Sequence, residues 1–226
     1  MFIQVSYYYQ EKFKLNRELI SALVLFLLVL SGCASNNIEK DYSLKKHPND
    51  GLIVVSVTKD GGPGSLGYDV NFYISDANGD PFAHLIAFGS TEPWTKEGGL
   101  PIRGALTVLS APEGTYKLSD WRIVGANVII YPKYNPDPIE FVVKKGEITY
   151  IGNIHMHMIT GKNIFGIYIT GGGVPYIYDM YDRDIRLFVD KYPQFFSMPV
   201  LRRVLKQGIW ARSHESTMQL NQVPVK

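Results

Sequence analysis

The sequence predicts a mainly β fold: an antiparallel β-sandwich with a short helical segment at its C-terminal end. Three observations predict it. Apolar residues alternate with polar ones at period two, as Val70, Phe72 and Ile74 do against Asn71, Tyr73 and Ser75, the pattern of a half-buried strand. Turn formers separate such stretches at Asn78-Gly79, Pro112-Glu113-Gly114, Tyr131-Pro132, Asn135-Pro136, Lys145-Gly146 and Gly171-Gly172-Gly173. The helical period enters only near the C-terminus, so the strand–helix alternation of a parallel α/β sheet is missing.

Taken in order, Leu52–Val57 opens the β region. Asn78-Gly79 predicts a hairpin, with both turn residues at positive φ. A two-residue turn there pairs Tyr73 with His84 and Phe72 with Leu85. Further strands are expected at 102–109, 115–123, 127–131, 138–143, 147–159 and 164–170. Asp182 is placed to cap a helix whose Ile185, Phe188, Val189 and Tyr192 share a face, and Pro193 ends it. A second short helix is expected from Ser197, with Val200, Leu201, Val204 and Leu205 as its apolar stripe and Gly208 beyond its end.

The chain has 226 residues, 46% hydrophobic, 13% aromatic and 19% charged. Disordered chains carry fewer aromatics and more charge. A net charge of +2, from 23 cations and 21 anions, is too small for a nucleic-acid binder. The single cysteine excludes a disulfide scaffold.

That cysteine has an informative setting. Lys12, Lys14 and Arg17 precede the uncharged run LISALVLFLLVL, Leu19 to Leu30. The run is shorter than the ~20 apolar residues of a membrane span and matches the core of a secretory signal. It ends in Leu30-Ser31-Gly32-Cys33, which resembles the bacterial lipobox. The resemblance implies cleavage before Cys33 and lipidation of its thiol. Ala34 and Ser35 follow, without the aspartate that retains such proteins in the inner membrane. The expected location is the cell envelope, at the outer membrane facing the periplasm. The expected organisation is a signal peptide over 1–32, a flexible tether over 33–50, a sandwich over 51–180, helices over 181–208 and a polar tail over 209–226.

Two segments carry a family resemblance: Pro112-Glu113-Gly114-Thr115-Tyr116, and the run from Phe141 through Lys145-Gly146-Glu147 and Tyr150-Ile151-Gly152 to Ile154. They resemble uncharacterised bacterial lipoproteins with a carboxypeptidase-regulatory-like, or transthyretin-like, β-sandwich. Tyr192-Pro193 resembles the end of a late helix in that group. The resemblance implies the fold and brings no catalytic residue. Tyr150 is expected to share a core face with Ile148 and Ile154.

Several motifs bear on chemistry. Gly62-Pro63-Gly64-Ser65-Leu66-Gly67 matches G-x-G-x-x-G, but a strand pattern follows it and not the helix a dinucleotide site needs. Asp76 to Asp80 has the start of a calcium loop, yet Pro81 and Ala87 stand where glycine and glutamate are required. Ser65 lacks the glycine of a nucleophile elbow, because Pro63 stands there. His155 and His157, alternating with Met156 and Met158, project from one face of a strand. Two imidazoles so placed suit copper or zinc, with His84 as third ligand if its hairpin lies alongside. Arg202, Arg203, Lys206 and Arg212 form a basic cluster, and Tyr131, Tyr134, Tyr176, Tyr178 and Tyr181 offer aromatic surface.

The leading expectation is a lipid-anchored, non-enzymatic binding or scaffolding module without a cofactor. Its partners are the membrane and an envelope protein or the cell wall, met through loops at 60–67, 91–100, 131–138 and 171–176; nucleic acid is not among them. The alternatives are a periplasmic copper or zinc protein using His155 and His157, and an envelope hydrolase with a dispersed site.

Overall fold

A computed structural model describes residues 37–88, 93–97 and 100–211. The expected signal peptide over 1–32, Cys33 and the tail from Arg212 lie outside the described residues. The described chain is mainly β, with strands β1 (Asp50–Asp60), β2 (Tyr68–Asp76), β3 (Pro81–Ala87), β4 (Pro93–Glu97), β5 (Leu100–Pro112), β6 (Gly114–Gly125), β7 (Val128–Ile130), β8 (Ile139–Val143), β9 (Ile148–Lys162), β10 (Tyr168–Tyr178), β11 (Val200–Arg202) and β12 (Gly208–Ile209). One α-helix, α1 (Tyr181–Lys191), precedes β11.

Among these residues the strands form two sheets. One runs β12-β10-β9-β1-β5-β4, with β11 also on β9. The other runs β3-β2-β6-β7, with β8 also on β6. The second sheet is antiparallel, as expected. The first is mixed and corrects the all-antiparallel expectation: β1 lies parallel to β9, and β11 lies parallel to β9. Its central strand β1 is buried from Gly51 to Lys59. The nearly continuous apolar run Leu52–Val57 reflects that two-sided burial.

The two faces of β1 serve different cores. Ile53, Val55 and Val57 meet Val70, Phe72, Leu85, Trp121 and Ile123 of the other sheet. Leu52 and Val54 join Ile148, Tyr150, Phe188 and Tyr192 under α1. Each fully buried Val, Leu, Ile or Phe contributes about 1.5–3 kcal/mol. The second core also takes Ile38 and Leu44. Residues 37–50, expected as part of a flexible tether, therefore pack onto the domain, with the Ile38 amide donating to the Val108 carbonyl at 2.9 Å.

The hairpin register is as expected, Phe72 with Leu85 and Tyr73 with His84. Its turn differs. The Asp76 amide bonds the Asp80 carbonyl, Phe82 of β3 is bulged opposite Ile74 and Ser75, and of the turn pair only Gly79 has positive φ. The Asp76 carboxylate accepts the Asn78 and Asp80 amides and shapes the turn without an Asn78 in the left-handed region. The Gly171–Gly173 run, expected as a breaker, lies inside β10 as a bulge. The expected loop 171–176 is thus strand.

Helix α1 starts at Tyr181 after Met180, two residues earlier than an Asp182 cap would place it. The second helix is absent. A proline at 199 disfavours the helical region for the residue before it, and Val200–Arg202 pairs instead with Ile148–Tyr150, below the stretch of β9 that β10 covers. Leu205 then enters the inter-sheet core, as does Trp210, so the expected polar tail begins later than residue 209.

One feature of β9 changes which residues share a face. Val54 pairs with Tyr150 but Val55 pairs with Gly152, so Ile151 is inserted as a bulge. Gly152 takes φ +117°, and a Cβ there would lie 3.2 Å from the Tyr178 carbonyl oxygen. Alternation is reversed beyond the bulge. Ile148 and Tyr150 face α1, whereas Ile151, Ile154 and Met156 face the inter-sheet core. This corrects the expectation that Tyr150 and Ile154 point together.

Two outcomes follow from these packing details. Gly152→Ala should destabilise the protein by about 1–3 kcal/mol in urea denaturation; an unchanged midpoint would contradict the bulge's constraint. Lys59 is fully buried and donates to the Ser65 and Tyr68 carbonyls. Burial lowers its ammonium to about 8, only partly offset by Asp69. The unfolded chain keeps that proton up to ~10.4, so stability rises with pH between these values. Relative to Lys59→Met, the wild type should gain roughly 2 kcal/mol between pH 8 and pH 10; a constant difference would contradict the burial effect.

Candidate metal centre

On β1, Ser56, Thr58 and Asp60 continue the face that carries Leu52 and Val54. On β9, the bulge puts Asn153, His155 and His157 on the same side as Tyr150. Parallel pairing sets Ser56 beside Asn153 and Thr58 beside His155. Asp60, at the end of β1, then reaches both histidines. The side-chain ligand atoms of Asp60, His155 and His157 lie within 4.8 Å of one another.

The contacts are specific. Asp60 Oδ1 is 3.1 Å from His155 Nε2, and Oδ2 is 3.5 Å from His157 Nδ1. The Met158 amide donates to Oδ2 at 2.9 Å. The opposite nitrogens are occupied too. His155 Nδ1 lies 2.8 Å from Thr58 Oγ1, and His157 Nε2 lies 2.8 Å from the Tyr178 hydroxyl. Tyr176 meets the His157 ring edge-on at 4.8 Å. His155 is buried, whereas the His157 side chain is 44% exposed and Asp60 28%.

A buried network supports this group. Asn153 Nδ2 donates to Ser56 Oγ at 2.8 Å and to Thr58 Oγ1 at 3.0 Å. Ser56 Oγ and the Tyr150 hydroxyl donate to Asp184 Oδ2 at 2.6 and 2.7 Å. Arg183 Nε pairs with Asp184 Oδ1 at 2.9 Å. The chain of bonds thus runs from α1 through β1 and β9 to Asp60.

Charge follows from these surroundings. Burial works against the Asp60 carboxylate, but hydrogen bonds from His155, His157 and the Met158 amide outweigh it and hold the carboxyl well below its usual range. Burial lowers the His155 pKa, and the Asp60 carboxylate offsets only part of that. Burial and then the Asp184 carboxylate push the Tyr150 phenol well above its ordinary range, so it remains a donor.

This is the donor set of a transition-metal site: one carboxylate and two imidazoles. Tetrahedral zinc with ligands at ~2.1 Å has ligand–ligand edges of about 3.4 Å, and the three residues can each offer one ligand atom within 4.8 Å of the others. Ligating histidines characteristically donate their other nitrogen to a fixed acceptor, the position Thr58 and Tyr178 occupy here. Thr58–His155–Asp60 also has the order of a nucleophile–base–acid triad. Thr58, however, is fully buried and engaged with Asn153, so its hydroxyl orients His155 and meets no substrate.

Of the residues expected from sequence, His155 and His157 are brought together, while Cys33 lies outside the described residues. His84 does not join them: it sits in the other sheet, bonded to Asn71 and stacked on Tyr73. Arg202 pairs with Asp179 and Arg203 with Glu147, which dissolves much of the expected basic cluster. Tyr131 and Tyr134 line, with Trp121 and Trp210, a cleft of about 200 Å³. Sequence reasoning missed Asp60, Thr58, Asn153 and Asp184. A signal existed for Asp60: Ser56, Thr58 and Asp60 are polar at period two after the apolar run Leu52–Val55.

The chain matches no protein-family model, no curated protein and no solved structure. Among the described residues no helix is long and apolar enough to cross a membrane.

Asp184→Ala should destabilise the protein by about 3–5 kcal/mol, because it strands Arg183 and two buried hydroxyls. Chemical denaturation measures this; a loss below about 1 kcal/mol would show that the network is not a support.

Proposed function

We propose that this is a cell-envelope protein, held to the membrane by a lipid on Cys33, whose β domain binds one zinc or copper ion through Asp60, His155 and His157. The observation that carries the metal reading is the third ligand. Two histidines on a strand make a weak site, and the Asp60 carboxylate from the parallel neighbour completes a three-ligand set whose outer partners are in place. Partial exposure of Asp60 and His157 leaves the remaining coordination position toward solvent, for water or a donor atom of a partner. Binding is favoured over hydrolysis because the aliphatic hydroxyl bonded to His155, that of Thr58, is fully buried, and the hydroxyl bonded to His157 is the phenol of Tyr178. The lipobox-like Leu30-Ser31-Gly32-Cys33 supports the anchor. The turn and strand motifs at 112–116 and 141–152 support a sandwich of the carboxypeptidase-regulatory-like kind.

Chelator-treated full-length protein should take up one equivalent of Zn(II) or Cu(II) in calorimetry. Asp60→Asn and His157→Ala should each weaken binding at least about tenfold, and Thr58→Val, acting through His155, by about tenfold. No stoichiometric uptake, or equal uptake by the Asp60 variant, would contradict the metal reading. The anchor is checked separately: Cys33→Ala should accumulate as a heavier, unprocessed precursor, and an unchanged mature mass would contradict it.

A further inference from the structure

The end of the β9–β10 hairpin has an unusual surface. Beyond the metal-ligand group, β9 and β10 continue as a two-stranded arm, with Lys162 paired to Tyr168 and Ile169 to Gly161. The arm's large side chains are apolar and outward: Ile164 is 93% exposed, Phe165 78%, Ile167 59%, Ile159 55% and Tyr168 50%. Ile159, Ile167 and Ile169 share one face by strand alternation. Among the described residues the tip is open at Gly161 and Gly166, where an added Cβ would meet no atom within 4 Å, while Gly64 lies against Tyr168 and Ile169 at the base of the arm.

The tip is nevertheless well formed. Asn163 Oδ1 accepts the Phe165 and Ile167 amides, both at 3.0 Å. The Asn163 amide bonds the Ile167 carbonyl, and the Gly166 amide bonds the Asn163 carbonyl. The exposed side chains are thus held out on a fixed turn. Lys162 Nζ lies 5.0 Å over the Tyr168 ring. An aromatic and a lysine behind an apolar point is the composition of a membrane interface, where the ring sits at headgroup depth and the ammonium meets anionic lipid.

The position of the chain's start favours a bilayer as the occupant. Asn37 lies against Val108 in mid-sheet, and from there the chain runs toward Asp50, at the beginning of β1. The hairpin projects from the other end of β1, past Asp60. Four residues of chain, about 14 Å fully extended, separate Cys33 from Asn37. A lipid on Cys33 therefore keeps the domain close to the membrane surface.

We infer that the β9–β10 tip, centred on Ile164, Phe165 and Ile167, inserts into the lipid bilayer as a second contact beside the Cys33 anchor. The inference rests on the anchor reading for its reach. Two contacts, one covalent lipid and one apolar hairpin, fix the domain's orientation where a tether alone would not.

The test places a single reporter at the tip. Ile164→Cys, in the otherwise unchanged chain, is labelled with an environment-sensitive thiol dye and reconstituted into vesicles of phosphatidylethanolamine and phosphatidylglycerol. Asn78→Cys, in the β2–β3 turn, is the control. A lipidated Cys33 offers no free thiol, so mass spectrometry should find one dye per chain. The tip dye should show blue-shifted emission on vesicles and quenching by nitroxide lipids, while the control shows neither. Phe165→Ser with Ile167→Ser should abolish the shift. A tip dye that behaves like the control overturns the inference. So does a shift that depends on protein concentration without vesicles, which would mean that a second copy covers the tip. Two dyes per chain would refute the anchor reading instead; the same emission comparison in a Cys33→Ser background then decides the hairpin alone.

Discussion

The arrangement depends on one inserted residue in β9. A strand carries its side chains to alternate faces, so a one-residue shift moves every later side chain to the other side. The bulge at Ile151 and Gly152 makes that shift once. Below it, Ile148 and Tyr150 lie under α1; above it, Ile154 and Met156 turn into the inter-sheet core. Without it, Asn153 and His155 would point at Val57, Val70 and Phe72. Each buried polar group left without a partner there would cost about 1–3 kcal/mol. With it, both meet polar residues of β1, and the geometry needs a backbone conformation that glycine adopts without strain.

The parallel pairing of β1 and β9 supplies the second half. It sets Ser56, Thr58 and Asp60 in step with Asn153, His155 and His157. The hydrogen bonds between them tie the site to the buried Asp184 of α1. Were a metal to replace the Nε2–H bond to Asp60, Thr58 could accept from His155 Nδ1–H and donate to Asn153, making Nε2 the lone-pair nitrogen a metal requires. The site is therefore fixed by two central strands and a helix, and not by loops. Its open side is toward His157 and Tyr178, next to the arm that ends in Ile164 and Phe165.

Much of the fold was legible in the sequence. Period-two alternation located β2, β3, β6 and β8, and residue identity alone gave the Phe72–Leu85 register. The late helix was legible from Ile185, Phe188 and Tyr192. The mixed sheet was not, because strand direction depends on which distant segments pair. The bulge was hidden in Ile151-Gly152, where a glycine in a strand was read as part of a regular alternation. Residues 37–50 were read as a tether from their polarity, although Ile38 and Leu44 suffice to dock them. For the site, the two histidines were visible as a pair, but their third partner lies 95 residues away from His155 in the chain. Only the β1–β9 register brings it there.

The central claim is that these three side chains bind a metal ion together. Crystals of the full chain grown with Zn(II), measured at wavelengths on either side of the zinc absorption edge, test it most directly. The account predicts one anomalous peak about 2.0–2.2 Å from Asp60 Oδ, His155 Nε2 and His157 Nδ1, with Thr58 and Tyr178 still bonded to the opposite nitrogens. A zinc-loaded crystal in which Asp60 and the two imidazoles remain hydrogen bonded to one another, with the metal bound elsewhere or not at all, would contradict it.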